Sequence, residues 1–505
     1  MKIKRLAAMV LSVAFVLPVI GCGTNGNKDT VLLKPGMSYK ISEKNTPAEY
    51  YSLSYDIIGG NDVMPISVFV GPMLSGGSED ANPQPNFISD KYFSLMSEAG
   101  INLSVYTTWF YEKNPSAYKT MLSLGEKYGI GFYVPSNTLA GLIGTRTQGT
   151  EMTEMDMDLL YDKIMDISDN LNYRSFVGLW VYDEPFPHWQ LKNSKVFAQA
   201  IKELNLPGVT SYCNIVGSWE GEFAFWNTCA PTKFEDYAKA YMEIGFPMLS
   251  ATQYPYCINW PKYDDEYKET RLKTHLFRLL ALYRSLALEY KVPAWRMMQA
   301  GGDWTSGTDS VGYYPDEGEF LYDINCSLAF GMKGIQYYTG FQVEGDSITS
   351  DGSVDKGRIG IFGIDGEIHQ WYYYAKKAGK QVHAVDHVLM NSANIGVLVS
   401  GKKTPSIVGN PLDGTMYEGD SIIIKDSYRE LKSVSGEAVI GCFDYLGGTA
   451  LYVVNGSHKN KNDVTLNFND KYAYDITQRA ETVAVTGKSV TLTLAAGEAA
   501  LVVVR

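Results

Sequence analysis

The stretch FVGLWVYDEPFP, residues 176–187, combines a buried strand with an abrupt end. Its first six residues are all apolar, as in a strand that is covered on both faces. Asp183 and Glu184 follow, and Pro185 stops the strand because proline has no backbone N–H to donate. The pattern therefore predicts a central strand, Phe176–Asp183, that presents two carboxylates at its carboxyl end.

Runs of this kind recur along the chain, and helix-length amphipathic stretches lie between them. The predicted strands are Pro65–Met73, Ile101–Phe110, Ile130–Asn137, Phe176–Asp183, Gly208–Ile215, Pro247–Tyr254, Pro293–Gln299 and Gly334–Thr339. The predicted helices are Ser89–Ala99, Pro115–Tyr128, Glu154–Leu171, Gln190–Leu204, Phe234–Ile244, Tyr267–Tyr290 and Gly318–Phe330. This alternation favours parallel strands joined by crossover helices, and eight units over about 280 residues match the size of a (β/α)8 TIM barrel. No GxGxxG or Walker sequence follows a strand, as a nucleotide-binding doubly wound sheet would require.

Beyond about residue 391 the pattern changes to short alternating runs such as AVIGCFDY and TALYVVNGS, separated by Gly, Asn and Asp. Such period-two alternation is typical of a small antiparallel β-sandwich. We expect the helix His369–Met390 to pack this sandwich against the barrel. The predicted segments are a signal peptide at 1–22, a tether and N-terminal segment at 23–60, the barrel at 61–390 and the sandwich at 391–505.

The first 22 residues, MKIKRLAAMVLSVAFVLPVIGC, read as an export signal with a basic start and an apolar run. The end of this run, Val19–Cys22, resembles a bacterial lipobox. That resemblance implies that Cys22 is lipidated and becomes the mature N-terminus, so that an exported protein is held at the cell membrane or cell surface by its lipid anchor only. The alternative is an ordinary cleaved signal with an incidental cysteine.

Composition excludes several classes of partner. The formal net charge is -12, with 44 basic and 56 acidic residues, and no basic patch indicates nucleic acid as a partner. Apart from Cys22, the cysteines show no CxxC or zinc spacing, and a bridge such as Cys213 with Cys229 stays open. His383 and His387 lie one helical turn apart and fit a surface helix better than a metal site. We therefore predict no metal and no cofactor.

In a barrel, functional side chains come from the carboxyl ends of the strands. These ends carry amides, aromatic rings and one acid pair, which suit a sugar because rings stack on its apolar faces and amides bind its hydroxyls. The predicted substrate-binding residues are Trp109, Asn137, Asn214, Tyr254, Trp295, Gln299 and Tyr338, and the predicted catalytic pair is Asp183 and Glu184. Adjacent strand residues point to opposite faces, so both acids can serve only if the strand ends or bulges at Asp183. Three alternatives remain: Asp183 pairs with Arg296 under the barrel mouth, Glu184 is only a surface residue, or the tyrosine and tryptophan rings are core packing.

The stretch from Phe176 to Pro187 resembles the fourth-strand signature of clan A barrel glycosidases, in which a Glu followed by Pro is the general acid/base. The residue before that Glu is usually Asn, whereas here it is Asp183. CSLAFGMKGIQYYTGF, residues 326–341, looks like the seventh helix and eighth strand of such enzymes, and AAGEAALVVVR resembles the last strand of their small β domains. The resemblance covers roughly residues 60 to 505 and implies hydrolysis of an extracellular glycan, with Glu184 as the general acid/base.

One departure from the family pattern concerns the nucleophile. Retaining members have a Glu at the end of the seventh strand, whereas PAWRMMQAGGDW, residues 293–304, offers Gln299, whose neutral amide cannot attack a sugar. Asp303 or Glu344 could replace it, water could be activated as in inverting enzymes, or the substrate could supply its own nucleophile. The last route has support because adjacent Asp and Glu also resemble N-acetylhexosaminidases, in which the Asp orients an acetamido group.

Two other classes compete with a hydrolase. A non-catalytic glycan-binding surface lipoprotein derived from a glycosidase barrel would explain Gln299. A solute receptor would need two α/β lobes, which the eight repeated units and the following β domain oppose.

Overall fold

The computed structural model describes residues 37–41, 49–74, 86–107, 110–144, 150–185, 188–215, 217, 234–256, 263–265, 267–268, 272, 276–301, 315–342, 347–348, 354–355, 360–401, 423–424 and 427–505. These residues belong to the unit Lys34–Arg505. Cys22 and its lipobox lie outside the described residues, as do Trp109, Asp303 and Glu344.

Eight parallel strands form a closed barrel, as the sequence predicts. They are β3 Ile66–Phe69, β4 Leu103–Ser104, β5 Gly131–Pro135, β6 Phe176–Asp183, β7 Thr210–Asn214, β8 Leu249–Thr252, β9 Ala294–Gln299 and β10 Ile335–Tyr338. Each pairs with its neighbours in the order β7-β6-β5-β4-β3-β10-β9-β8. The ring closes between β7 and β8, because the N–H of Ile215 donates to Ser250 O at 2.9 Å and the N–H of Thr252 donates to Ile215 O at 3.1 Å. The fold is therefore a TIM barrel.

The helices that the structure describes lie between and after these strands. They are α1 Asp90–Glu98, α2 Pro115–Tyr128, α3 Asn137–Ile143, α4 Glu154–Asn170, α5 His188–Leu204, α6 Phe234–Met242, α7 Phe277–Glu289, α8 Glu317–Ala329, α9 Gln370–His383 and α10 Asp386–Leu389. Short 3-10 helices span Asp56–Ile58, Gly60–Asp62 and Tyr111–Lys113. Among the described helices, none has both the length and the apolar character that a membrane crossing requires.

A largely antiparallel β-sandwich follows the barrel. Its strands are β13 Ser392–Ser400, β14 Ile423–Ile424, β15 Leu431–Ser435, β16 Ala438–Tyr445, β17 Gly448–Asn455, β18 Asn462–Gln478, β19 Glu481–Leu494 and β20 Ala499–Val504. The strand order is β14-β13-β16-β17-β20-β18-β15, with β19 on β18, and only the described pair β13–β14 is parallel. Two further antiparallel pairs are β1 Met37–Ile41 with β2 Glu49–Leu53, and β11 Ser347–Ile348 with β12 Val354–Asp355.

The sandwich packs on the barrel mainly through α8, not through the helix that we expected to join them. Asn325 of α8 receives a hydrogen bond from Tyr452 Oη at 2.6 Å and donates one to Gly497 O at 2.8 Å. Gly441 lies so close to α8 that a Cβ there would meet Ala329 O at 2.4 Å. The expected joining helix is divided into α9 and α10, and of these α10 contacts β13 and β16. The reason is that α8 is buried along nearly its whole length and therefore offers the larger apolar face.

The end of the barrel opposite the carboxyl ends of its strands is closed by the segment that leads into β3. Tyr55 from this segment shares a hydrogen bond of 2.7 Å with Tyr133 of β5, and Tyr133 shares another of 2.7 Å with Thr210 of β7. The Tyr55 ring also lies 6.2 Å from the ring of Trp295, centroid to centroid. All four side chains are buried, so they form a packed floor.

Candidate active site at the carboxyl ends of the barrel strands

The acid pair lies at a turn that breaks the strand alternation. The register of β6 against β7 shifts between Trp180 and Tyr182, and Asp183 then pairs with Asn214. Glu184 has φ of 48°, a left-handed conformation that costs a non-glycine residue about 1–2 kcal/mol. Its N–H donates to Asn214 O at 3.1 Å. Because a bulge precedes the pair and a left-handed residue ends it, the rule that neighbouring strand residues face opposite sides does not hold here.

Hydrogen bonds from outside the barrel fix this turn. Tyr237 of α6 donates from its hydroxyl to Pro185 O at 3.1 Å, and Tyr241, one helical turn later, donates to Cys213 O at 2.8 Å. The thiol of Cys213 donates in turn to Tyr182 O at 3.1 Å. Helix α6 and strand β7 thus hold both sides of the segment that carries the acid pair.

Six aromatic rings follow one another around the mouth of the barrel. In spatial order they are Tyr254, Tyr338, Phe69, Tyr106, Trp180 and Tyr182, and we call them the aromatic arc. Successive ring centroids lie 5.5, 5.8, 5.0, 4.8 and 6.4 Å apart. Phe69 and Trp180 are buried, whereas the four tyrosines are partly exposed. The buried rings therefore brace tyrosine faces that a ligand can reach, and the arc ends beside Asp183.

Of the predicted binding residues, Tyr254 and Tyr338 lie in this arc. The Tyr254 hydroxyl donates to Met297 Sδ at 3.4 Å, which ties it to β9. Gln299 is the last residue of β9, where the sequence places it, and it is buried. Asn137 is exposed at the start of α3, and its N–H donates to the Glu112 carboxylate at 3.0 Å.

Two of the predicted binding residues have buried side chains with partners inside the barrel. The Asn214 side chain, 1% exposed, donates to Thr252 Oγ1 and accepts from Ser250 Oγ at 3.0 Å. The Trp295 side chain is fully buried beside Tyr55 at the floor, because Trp295 is the second residue of β9 and not its end. The Trp295 side chain therefore packs inside the barrel and does not bind substrate, whereas substrate binding by Asn214, the last residue of β7, stays a prediction.

The barrel interior above the floor is polar. Tyr212 donates to Gln336 Oε1 at 2.7 Å, and its oxygen lies 3.0 Å from Ser250 Oγ. Through Asn214 this network reaches Thr252, whose hydroxyl contacts Met297 Sδ at 3.7 Å. A chain of polar contacts thus runs from the middle of the barrel to its mouth on the side of β7, β8 and β9, opposite much of the aromatic arc.

Arg296 does not pair with Asp183, so that alternative is wrong. Its guanidinium contacts Asp323 of α8, with Nη2 and Oδ1 3.0 Å apart, and donates to Gln253 O and Met297 O at 2.5 Å. Both charged side chains are buried between the barrel and α8. Burial raises the pKa of Asp323 to about 6, against the opposing effect of Arg296.

Burial also raises the pKa values of the tyrosine hydroxyls near the acid pair. It raises the pKa of Tyr106 to about 12, and the negative charge of Asp183 adds to the shift. The pKa values of Tyr182 and Tyr212 are raised by the same two effects, with burial the larger. These hydroxyls consequently remain neutral hydrogen-bond donors at physiological pH.

Other titratable groups have structural partners. In the described residues no three His, Cys, Asp or Glu side chains are grouped so that they could hold a metal ion. Cys213 is a buried free thiol, and Cys229 lies outside the described residues. His383 is half-buried and contacts Asp386 Oδ2 at 2.8 Å and Gly100 O at 2.9 Å, whereas His387 is exposed.

The chain is similar to solved structures of glycoside hydrolases at low identity. A β-galactosidase from the psychrophilic Marinomonas ef1 matches with 10% identity over 65% of this chain and 62% of that one, at a TM-score of 0.46. The GH51 arabinofuranosidase from Xanthomonas axonopodis pv. citri matches with 9% identity over 94% and 100%, at 0.46. A β-glucuronidase from Lactobacillus rhamnosus matches with 14% identity over 67% and 55%, at 0.41. This chain thus spans less than two thirds of the galactosidase and of the glucuronidase. No family model matches the sequence, nor does any curated protein.

Four members of the aromatic arc were missed at the sequence level, namely Phe69, Tyr106, Trp180 and Tyr182. The second strand was predicted to run to Phe110, so its end was placed at Trp109, whereas β4 ends at Ser104 and Tyr106 follows it. The sequence feature that could have identified these four residues is an aromatic residue at the end of several strands or just after it.

Proposed function

We propose that this protein is a glycoside hydrolase that acts on an extracellular glycan, with Glu184 as the general acid/base. The observation that carries the proposal is the acid pair on a constrained turn at the mouth of a TIM barrel, beside the aromatic arc. A sugar ring stacked on the tyrosines would lie next to Asp183 and Glu184. The neutral donors Tyr106 and Tyr182 are available for its hydroxyls.

In this reaction the Glu184 carboxyl gives its proton to the leaving oxygen while the glycosidic C–O bond breaks. Glu184 then takes a proton from the water that completes hydrolysis. Asp183 stabilises the positive charge that develops on the sugar or orients an acetamido group of the substrate. Gln299 cannot attack the sugar, so a second carboxylate would come from Asp303 or Glu344, unless water or the substrate serves directly.

The test is release of aryl alcohol from a panel of aryl glycosides, N-acetylated ones included. Glu184→Gln should lower turnover by about a hundredfold or more while glycan binding and folding persist. If an acetamido group of the substrate acts as the nucleophile, Asp183→Asn should abolish most activity on N-acetyl sugars. If it does not, Asp183→Asn should cause a smaller loss of activity that is the same with and without the acetamido group.

A matched control is Glu112→Gln. Glu112 also follows a barrel strand, but its carboxylate is bound by Ser136 Oγ and by the N–H of Asn137. This variant should keep near-wild-type turnover. Equal losses in Glu112→Gln and Glu184→Gln would contradict the assignment of the acid.

The second candidate is a non-catalytic glycan-binding surface lipoprotein, which Gln299 at the end of β9 favours. Wild-type protein that binds glycans and cleaves none of the panel, with Glu184→Gln changing nothing, would establish this candidate instead.

We also propose that the protein is exported and held at the membrane by lipid on Cys22. Support comes from the basic start, the apolar run and the lipobox-like end of residues 1–22.

A further inference from the structure

The strands of the barrel give its mouth a negative charge. Strand β6 ends in Asp183 and is followed by Glu184, whereas Arg296 is the one cation in the sequences of the eight strands. Arg296 lies on the outer side of β9 and is neutralised by Asp323 of α8. The positive charge on the strands is therefore directed away from the mouth, and the negative charge lies at it.

The charge of Asp183 acts across the mouth. Tyr106 follows β4, Tyr182 belongs to β6 and Tyr212 belongs to β7, and the pKa of each phenol is raised first by burial and then by Asp183. Three groups on three strands thus experience the same carboxylate. Charges near such partly buried surfaces interact more strongly than charges in bulk water.

The aromatic arc has the same electrostatic character. The face of an aromatic ring carries the negative part of its quadrupole, and cations bind over such faces. Tyr182 is the partly exposed ring at the acid end of the arc, next to Asp183 in the sequence and stacked with Trp180 at 6.4 Å between centroids. Tyr106 follows two rings further along the arc, and the charge of Asp183 still raises its pKa, so the electronegative rings and the carboxylate lie at the same part of the mouth.

We propose that this mouth selects sugars by charge, binding a ring with a protonated amine most tightly, a neutral ring less tightly and a uronic acid least. The preferred substrate class is therefore a glycan of amino sugars or neutral sugars. This inference rests on the proposed function for the location of the site, but the selection is a property of binding and does not need hydrolysis.

The experiment measures dissociation constants for three matched probes: methyl glucosaminide, methyl glucoside and methyl glucuronide, together with their galacto counterparts. Titration calorimetry at pH 7 and low salt should give the order amine, neutral, acid. The amine should bind tighter than the acid by about tenfold to a hundredfold, as expected for one carboxylate acting at a few ångströms in a medium of intermediate dielectric.

Asp183→Asn should bring the amine-to-acid ratio close to one, whereas Asp470→Asn, the same charge change on the exposed surface of the sandwich, should leave it unchanged. The inference is overturned if the affinities are equal or in the reverse order, if the amine-to-acid ratio is unchanged in Asp183→Asn, or if none of the probes binds measurably. Charge-ordered binding without hydrolysis would refute the proposed function alone, and hydrolysis without charge order would refute the inference alone.

Discussion

Two tyrosine hydroxyls of helix α6 can be removed one at a time. We expect the two variants to lose similar stability but different amounts of activity. Tyr237→Phe deletes the hydrogen bond to Pro185 O, the residue that follows Glu184, and leaves the aromatic packing in place. Tyr241→Phe deletes the equivalent bond to Cys213 O, one helical turn later. Both tyrosines are fully buried and both donate to a backbone carbonyl, so the pair forms a matched comparison.

The two variants should lose similar stability and different amounts of activity. Each leaves a buried carbonyl with one donor fewer, which costs about 1–2 kcal/mol of unfolding free energy. The Pro185 bond holds the residue next to Glu184 directly, whereas the Cys213 bond acts on the turn only through strand β7. If Glu184 is the general acid/base that we propose, even a sub-ångström displacement of its carboxyl is costly, and kcat of Tyr237→Phe should fall by about three- to tenfold while KM changes little.

The measurements are urea unfolding and steady-state kinetics on the aryl glycoside that the substrate panel of the proposed function identifies. Tyr241→Phe should keep kcat close to wild type. The reasoning is refuted if the two variants lose kcat equally, or if Tyr237→Phe retains full kcat despite the expected loss of stability.

Two further predictions concern the rest of the chain. Burial lowers the pKa of His383, but its contacts with Asp386 and Gly100 O outweigh burial and raise it overall. The stabilisation by His383 should therefore be complete below its unfolded pKa of about 6.5 and disappear as pH rises through the higher folded value. Urea unfolding should show a deficit for His383→Gln of about 1–3 kcal/mol at pH 5.5 that shrinks in alkaline buffer, and a pH-independent deficit would contradict this. Cys22→Ser should release the protein from membranes in cell fractionation, and unchanged partitioning would refute the lipid anchor.

The barrel was predictable because its strands are buried on both faces. A parallel strand covered by helices outside and side chains inside is an almost continuous apolar run, so eight runs could be counted directly. Strand β6 has the bounds that the sequence predicts, since Pro185 marks its end. In the sandwich, β15, with the sequence LKSVS, was not predicted because most of its side chains are exposed and polar.

The site was less predictable than the fold, because a position near a strand end does not determine how deep its side chain lies. Trp295 and Gln299 belong to the same six-residue strand, yet the first contacts the floor and the second reaches the mouth. The partners of Asn214 come from β8, far along the chain, so local sequence could not reveal that both ends of its amide are engaged inside the barrel. The bulge before Tyr182 depends on the register against β7, which is again a tertiary property.

The packed floor closes one end of the described part of the barrel. It consists of Tyr55, Tyr133, Thr210 and Trp295. A molecule that enters the barrel at the aromatic arc cannot pass along the barrel axis, so it must leave through the same opening. Substrate, departing fragment and hydrolytic water would all pass the same gateway. Turnover would then be sequential at that opening: the fragment that occupies the arc blocks the next sugar until it diffuses away.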